Sequence, residues 1–191
     1  MTGGIATGKS HVRAALEALG VPTIDADVLA KQAVEKGSAG LEQVVRRFGP
    51  GVLDATGALD RGRLAAIVFA DPGARRDLEQ IVHPIVRQAI DDWFASLGGR
   101  HRFAVADIPL LYETGREKDF DAVIVTAVDP DTQIRRVMTR DGLTDAEARQ
   151  RLAAQMPIDE KVRVADFVIR TEGTFEETNR QVQQVYGALS A

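Results

Sequence analysis

The chain has no cysteine among its 191 residues, which excludes disulfides and any thiolate metal site. No apolar run approaches the ~18 residues of a membrane-spanning helix. The first residues lack the apolar core of a signal peptide and place Lys9 where one would fall. Basic residues are not in excess: 24 Lys and Arg face 28 Asp and Glu, a formal net charge of -4. That balance argues against a nucleic-acid binder working through a basic surface, yet leaves room for a local cation cluster around a small anion. Internal repeats and low-complexity stretches are missing too. Aromatics make up only 5% of the residues, and Trp93 and Phe94 in DDWFASL read as core rather than a base-stacking platform. These absences lead to the expectation of a soluble, cytoplasmic globular protein with no membrane or nucleic-acid partner.

What is present is an alternation of two periodicities. KSHVRAALEALG carries Val12, Ala15, Leu16 and Leu19 on one face and stops at Gly20, the pattern of a helix. VPTIDAD reads as a strand. Residues 28–97 then read as helical throughout, in the pieces VLAKQAVEK, SAGLEQVVRRFG with Ser38 as cap, DRGRLAAIVF, and a long tract expected to divide into two helices near His83-Pro84. RFAVADIPLL, DAVIVTAV and VADFVIRT are β-prone runs. The segments between and after them are helical: DTQIRRVMTRDG ending at Gly142, TDAEARQRLAAQM with Thr144 and Glu147 spaced as a capping box, and TFEETNRQVQQVYGAL. Strands separated by helices predict an α/β fold with a parallel sheet, and the helical stretch near 28–101 an insert upon it.

The chain opens MTGGIATGKS, in which Gly3, Gly8, Lys9 and Ser10 fit the spacing G-x-x-x-x-G-K-[ST]. Glycines allow consecutive N–H groups to turn inward around a phosphate, and the following helix directs its positive end at the same anion. Lys9 would reach the β- and γ-phosphates, and the Ser10 hydroxyl would bind Mg²⁺. The loop thus points to a nucleoside triphosphate and a magnesium ion, without naming what receives the phosphate. In IDAD, Asp25 and Asp27 stand two apart on a segment expected to be extended, so both carboxylates would face one way. Phosphoryl transfer to a hydroxyl needs such a carboxylate, but Asp27 could equally cap the helix that follows. Asp107 in DIPLLYE sits at a strand end, either supporting the metal or facing the acceptor, or simply closing the strand. Arg136 and Arg140 are four apart and share a helix face, which suits a polyphosphate or a solvated surface.

Taken together, TGGIATGKS, IDAD, VLAKQAVEKG, ATGALDRGRL, IVHPIV, DIPLLYE, TQIRRVMTRDG, LAAQM with Lys161, and VADFVI resemble the dephospho-CoA kinase family along nearly the whole chain. The resemblance implies a nucleoside-monophosphate-kinase-like P-loop core over 1–27 and 102–191, a lid over about 139–163, and a helical CoA-binding domain over 28–101. It implies ATP-dependent phosphorylation of the 3′-hydroxyl of dephospho-CoA, with Mg²⁺. Gly3, Gly4, Ile5, Ala6, Thr7, Gly8, Lys9, Ser10 and His11 would hold the nucleotide, Ser10 the metal, and Asp27 would be the general base. Arg136 and Arg140 would contact the phosphates or adenine, Arg136 and Lys9 serving catalysis. His83, Asp107, Pro109 and Leu110 would line the acceptor side.

Three departures stand out. His11 follows Ser10 where the family has a small or apolar residue, and IRTEG replaces an Asn-rich turn. The third is that only Met1 and Thr2 precede the loop, so a first strand is expected to be missing. Its loss would leave its neighbours roughly 10 Å apart, twice the usual strand spacing. The expectation is that Met1 is a late start or an internal residue, with about five to eight further β-prone residues upstream. Other readings remain open: a different small-metabolite or nucleotide kinase, a P-loop switch (although no N-K-x-D signature is present), or an inactive truncated form.

Overall fold

The computed structural model describes all residues, Met1–Ala191, and divides into two compact units. One unit comprises Met1–Ile24 and Gly99–Ala191; the other is Asp25–Gly98.

The first unit is built on parallel strands. In chain order it contains β1 (Thr2–Gly3), α1 (Lys9–Ala18) and β2 (Thr23–Asp25), whose last residue opens the second unit. Strand β1 pairs in parallel with a later strand, Ile124–Ala127, which pairs in turn with Phe167–Arg170. On its other side, the Met1 amino group donates to Ala106 O at 2.7 Å and Ile108 N donates to Met1 O at 2.9 Å. A strand before the loop is therefore present, as Thr2–Gly3, and the backbone of Met1–Gly3 is hydrogen-bonded on both sides.

The second unit is helical: α2 (Ala26–Gln32), α3 (Ala39–Phe48), α4 (Arg61–Ala70) and α5 (Pro72–Leu97). Ser38 caps α3 by accepting from Leu41 N, as its position suggested. Gly40 is packed so closely against Ala33 O that a Cβ there would collide with that carbonyl. The core joins Val34, Val44, Val52 and Leu64, with Leu78, Ile81 and Val82 of α5 against them. The division expected near His83-Pro84 does not occur, and α5 runs unbroken with Pro84 inside it. Pro84 removes one N–H from the helical ladder. Packing holds the helix together across it, since Ile81 and Val82 before the proline and Val86 and Ile90 after it are all turned inward.

The chain returns to the first unit with β3 (Val105–Asp107), β4 (Ile124–Ala127), α6 (Pro130–Asp141), α7 (Asp145–Ala153), α8 (Ile158–Arg163), β5 (Phe167–Arg170) and α9 (Phe175–Ser190). Strand β3 neighbours β2, so the lateral order is β2-β3-β1-β4-β5. Gly142 closes α6 in the left-handed conformation, and Thr144 with Glu147 forms the capping box of α7. Thr174 with Glu177 makes a second box on α9. The six-residue α8 was not foreseen; Ile158–Arg163 follows Pro157 and is too short to show a helical apolar period.

The core of the first unit collects Val12 and Leu16 of α1, Val105, Ile124 and Ile169 from three strands, and Val182 and Val185 of α9. A smaller apolar cluster of Ile134, Val137 and Ala148 on α6 and α7 packs against Ile5 and Ala6. Leu16 has no exposed surface. Leu16→Ala is expected to cost about 2–5 kcal/mol, read as a lower urea midpoint at unchanged slope. A loss under about 0.5 kcal/mol would contradict this core.

Candidate active site

The stretch Gly3–Ser10 turns the chain from β1 into α1. Gly8 is the N-cap of α1 at φ 81°, and no side chain caps that helix end. The N–H groups of Gly8, Lys9 and Ser10 therefore stay open, His11 N already donating to Gly8 O at 3.0 Å, and with the helix dipole they offer a place for an anion. Ala6 also adopts a positive φ, 58°, a strain of roughly 1–3 kcal/mol that persists only where its surroundings over-determine it.

Those surroundings are specific. Thr171, just after β5, donates from its hydroxyl to Thr7 O at 2.9 Å. The Thr7 hydroxyl donates to Gly4 O at 2.9 Å and lies 2.8 Å from the Thr126 hydroxyl of β4. Thr7 has one hydroxyl proton, so the consistent arrangement has Thr126 donating to it. From α6, Gln133 donates through Nε2 to Ile5 O at 2.8 Å. Arg136 donates to Ala6 O at 3.4 Å, to the Thr171 hydroxyl at 3.0 Å and to Thr171 O at 2.6 Å. Ile5 N in turn donates to Gln155 Oε1 at 2.9 Å. The bracing thus falls mainly on the carbonyl side of the loop and leaves its helix end free. Close approach is part of it: a Cβ on Gly3 would lie 2.7 Å from Thr126 O.

Lys9 and Asp107 form an ion pair at 3.4 Å, with Asp107 buried at the end of β3. The same region holds the Met1 amino group, whose pKa burial pushes down to about 5 against the opposing pull of the Asp107 charge. Ser10 is exposed on the first turn of α1. His11 meets Asn179 Oδ1 through Nε2 at 2.9 Å and packs its ring against Phe175, centroids 4.5 Å apart. Pro109 presents its carbonyl to the Thr2 hydroxyl at 3.0 Å, and Leu110 is exposed. Arg140 is paired with Asp141 at 2.8 Å, a hydrogen bond that raises its pKa and holds the Asp141 carboxyl below the usual range. Arg136 and Arg140 thus share a helix but have different partners.

In the second unit, Asp25 and Asp27 do not both sit on an extended segment. Strand β2 ends at Asp25, which caps α2, its Oδ1 accepting from Asp27 N at 2.8 Å and Val28 N at 3.3 Å. Asp27 lies in the first turn of α2, exposed to solvent. The capping role considered for Asp27 belongs to Asp25, because the strand ends one residue before the helix begins. His83 is exposed in the middle of α5.

Sequence reasoning missed Thr126, Thr171, Gln133 and Gln155. Each acts on the loop across 119 or more residues, so no local spacing marks it. No group of three or more His, Cys, Asp and Glu is placed to hold a metal, and no helix is long and apolar enough to cross a membrane.

A family model described as dephospho-CoA kinase matches residues 1–177. The dephospho-CoA kinase of Anaeromyxobacter dehalogenans is 54% identical over 177 residues, covering 92% of this chain and 84% of that protein. That of Geobacillus kaustophilus is 47% identical over 183 residues, covering 95% and 91%. Among solved structures, dephospho-CoA kinase from Campylobacter jejuni superimposes with a TM-score of 0.74 at 30% identity, covering 99% of this chain and 94% of that one.

Gly3→Ala and Gly4→Ala should differ. The Gly3 methyl meets a backbone carbonyl that cannot yield, whereas the Gly4 methyl meets the end of the Gln133 side chain. Gly3→Ala is expected to destabilise by about 2 kcal/mol or more, and Gly4→Ala by less. Equal thermal shifts for the two would contradict the packing described.

Proposed function

The chain belongs to the dephospho-CoA kinase family, and from that premise we propose that it transfers the γ-phosphoryl group of ATP to the 3′-hydroxyl of dephospho-CoA, with Gly3–Ser10 as the triphosphate cradle and Asp27 as general base. The observation that carries this reading is the uncapped N-terminus of α1 behind a left-handed Gly8, with the Lys9 ammonium anchored beside it by Asp107. That arrangement offers backbone N–H groups and one cation to an extended anion, which is the need of a polyphosphate.

In the proposed reaction the Asp27 carboxylate accepts the proton of the ribose hydroxyl. The hydroxyl oxygen forms a bond to the γ-phosphorus as the bond from that phosphorus to the bridging oxygen breaks, and ADP leaves. Lys9 offsets the charge that gathers on the β- and γ-oxygens. The donors present fit Mg²⁺ bound partly through phosphate oxygens, as that ion prefers: the exposed Ser10 hydroxyl and the Asp107 carboxylate, without an all-protein cage. When bound there, Mg²⁺ would neutralise phosphate charge and fix the orientation of the chain.

Arg136 braces the loop, and a further hydrogen bond from its guanidinium to a phosphate oxygen is proposed to add catalytic stabilisation. Arg140 and the stretch 139–163 are proposed as the nucleotide-side lid, whose last part, from Gln155 to Lys161, is its anchorage on the core rather than a moving piece, and His11 as part of the nucleotide site. Residues 28–101, with His83, are proposed as the acceptor domain, and Asp107, Pro109 and Leu110 as acceptor-binding residues. A lid serves this chemistry because transfer to a bound hydroxyl must exclude water.

A coupled assay with ATP, Mg²⁺ and dephospho-CoA tests the reading directly. Asp27→Asn is expected to keep ATP binding while turnover falls by about 10²-fold or more; unchanged turnover would refute the role. Lys9→Ala should weaken ATP binding and transfer together, and normal kinetics would contradict the cradle. In thermal-shift measurements dephospho-CoA should stabilise the protein. Stabilisation by nucleoside monophosphates alone would favour another kinase of the same fold.

A further inference from the structure

Lys161, near the end of α8, has a fully buried side chain. Its ammonium pairs with Glu113 Oε1 at 2.8 Å and donates to Pro109 O at 3.3 Å. The same Glu113 oxygen accepts from Met156 N at 2.9 Å. One residue earlier, Gln155 Oε1 accepts from Ile5 N at 2.9 Å, inside the phosphate loop, while Ile5 O is held by Gln133. A buried ammonium is tolerated only when it is paired and hydrogen-bonded. Here the pairing ties the stretch 155–161 to the loop that follows β3. The Gln155–Ile5 hydrogen bond joins residues 150 apart. A side chain as mobile as glutamine keeps such a bond only if the backbone beneath it is fixed, and the Glu113 contacts to Met156 and Lys161 fix it on both sides of α8's start.

We propose that Gln155 is a positioning residue for the phosphate loop, fastened by the Glu113–Lys161 pair, so that this strap sets the affinity for the triphosphate. The inference rests on the reading of Gly3–Ser10 as the ATP cradle. With Gln155 and Gln133 gripping Ile5 at its N–H and its C=O, the limb of the loop opposite α1 is held in one conformation before ATP arrives. ATP then does not have to order that limb as it binds.

The test uses the intact chain with Gln155→Ala, Lys161→Met, Glu113→Gln and the double variant Gln155→Ala/Lys161→Met. ATP affinity is measured by calorimetry, KM for each substrate in the coupled assay, and Tm by circular dichroism. Gln155→Ala is expected to weaken ATP binding about 5- to 10-fold, the weight of one hydrogen bond. KM for dephospho-CoA should stay within about twofold and Tm within a few degrees. Lys161→Met should show the same selective loss, and the double variant should bind ATP no more weakly than Lys161→Met, because both act through one contact. If Lys161→Met does not fold, Glu113→Gln, which keeps an acceptor for Met156 N but loses the charge, takes its place. Unchanged ATP affinity in Gln155→Ala overturns the proposal. So do losses that multiply in the double variant, or equal weakening of both substrates. Wild-type ATP binding without transfer to dephospho-CoA would count against the acceptor reading alone, since the ATP titration still decides the strap.

Discussion

The turn from β1 into α1 leaves the start of the helix without a side-chain cap, and much of the first unit serves to hold that turn in one shape. Most of the hydrogen bonds that shape Gly3–Ser10 are made to its carbonyls, by Thr171 to Thr7 O, Gln133 to Ile5 O, Arg136 to Ala6 O and Thr7 to Gly4 O, while Ile5 N donates to Gln155. The helix end stays uncapped. Such an arrangement needs donors from several elements converging behind the loop, which is what a parallel sheet with returning helices supplies. Thr126 comes from β4, Thr171 from the end of β5, and Gln133 and Arg136 from one face of α6. The positive φ of Ala6 is tolerable within this frame, since the residues on either side of it are pinned.

The same frame gives the first strand its place. Strand β1 spans only Thr2–Gly3, but it lies between β3 and β4 and bonds to both. Its burial on all sides puts Gly3 against Thr126 and lets the loop leave the sheet beside Asp107, where Lys9 finds its partner. The second unit works by different rules. Its elements are helices with apolar residues packed between them, and α5 continues through Pro84 because packing on both sides of the proline outweighs one lost hydrogen bond.

The features legible in the sequence were those written within a few residues. The phosphate loop, the Ser38 cap, the Thr144–Glu147 box and the Gly142 stop each depend on spacing of eight residues or fewer, and each is where the spacing put it. The alternation of strands and helices likewise follows from local period. Readings that needed to know where an element ends fared worse. The spacing in IDAD predicts both carboxylates on an extended segment, but the strand gives way to α2 after Asp25, which caps that helix, while Asp27 stands on its first turn. The short helix α8 carries no periodic signal in six residues, although it brings Lys161 to Glu113.

By itself, then, the sequence determined the chemistry on offer: a glycine-rich turn into a helix, a lysine and a serine at its start, and a family pattern spread along the chain. These are local properties of the backbone, and the energetics of glycine and of a helix terminus are the same in any fold. The tertiary structure alone decided which distant residues hold that turn open. Thr126, Gln133, Gln155 and Thr171 are unremarkable in sequence, and each becomes a brace only because sheet pairing and helix packing close more than a hundred residues of chain into hydrogen-bond contact. A hydrogen bond depends on tenths of an ångström, whereas a sequence pattern resolves only which face of an element a residue is on.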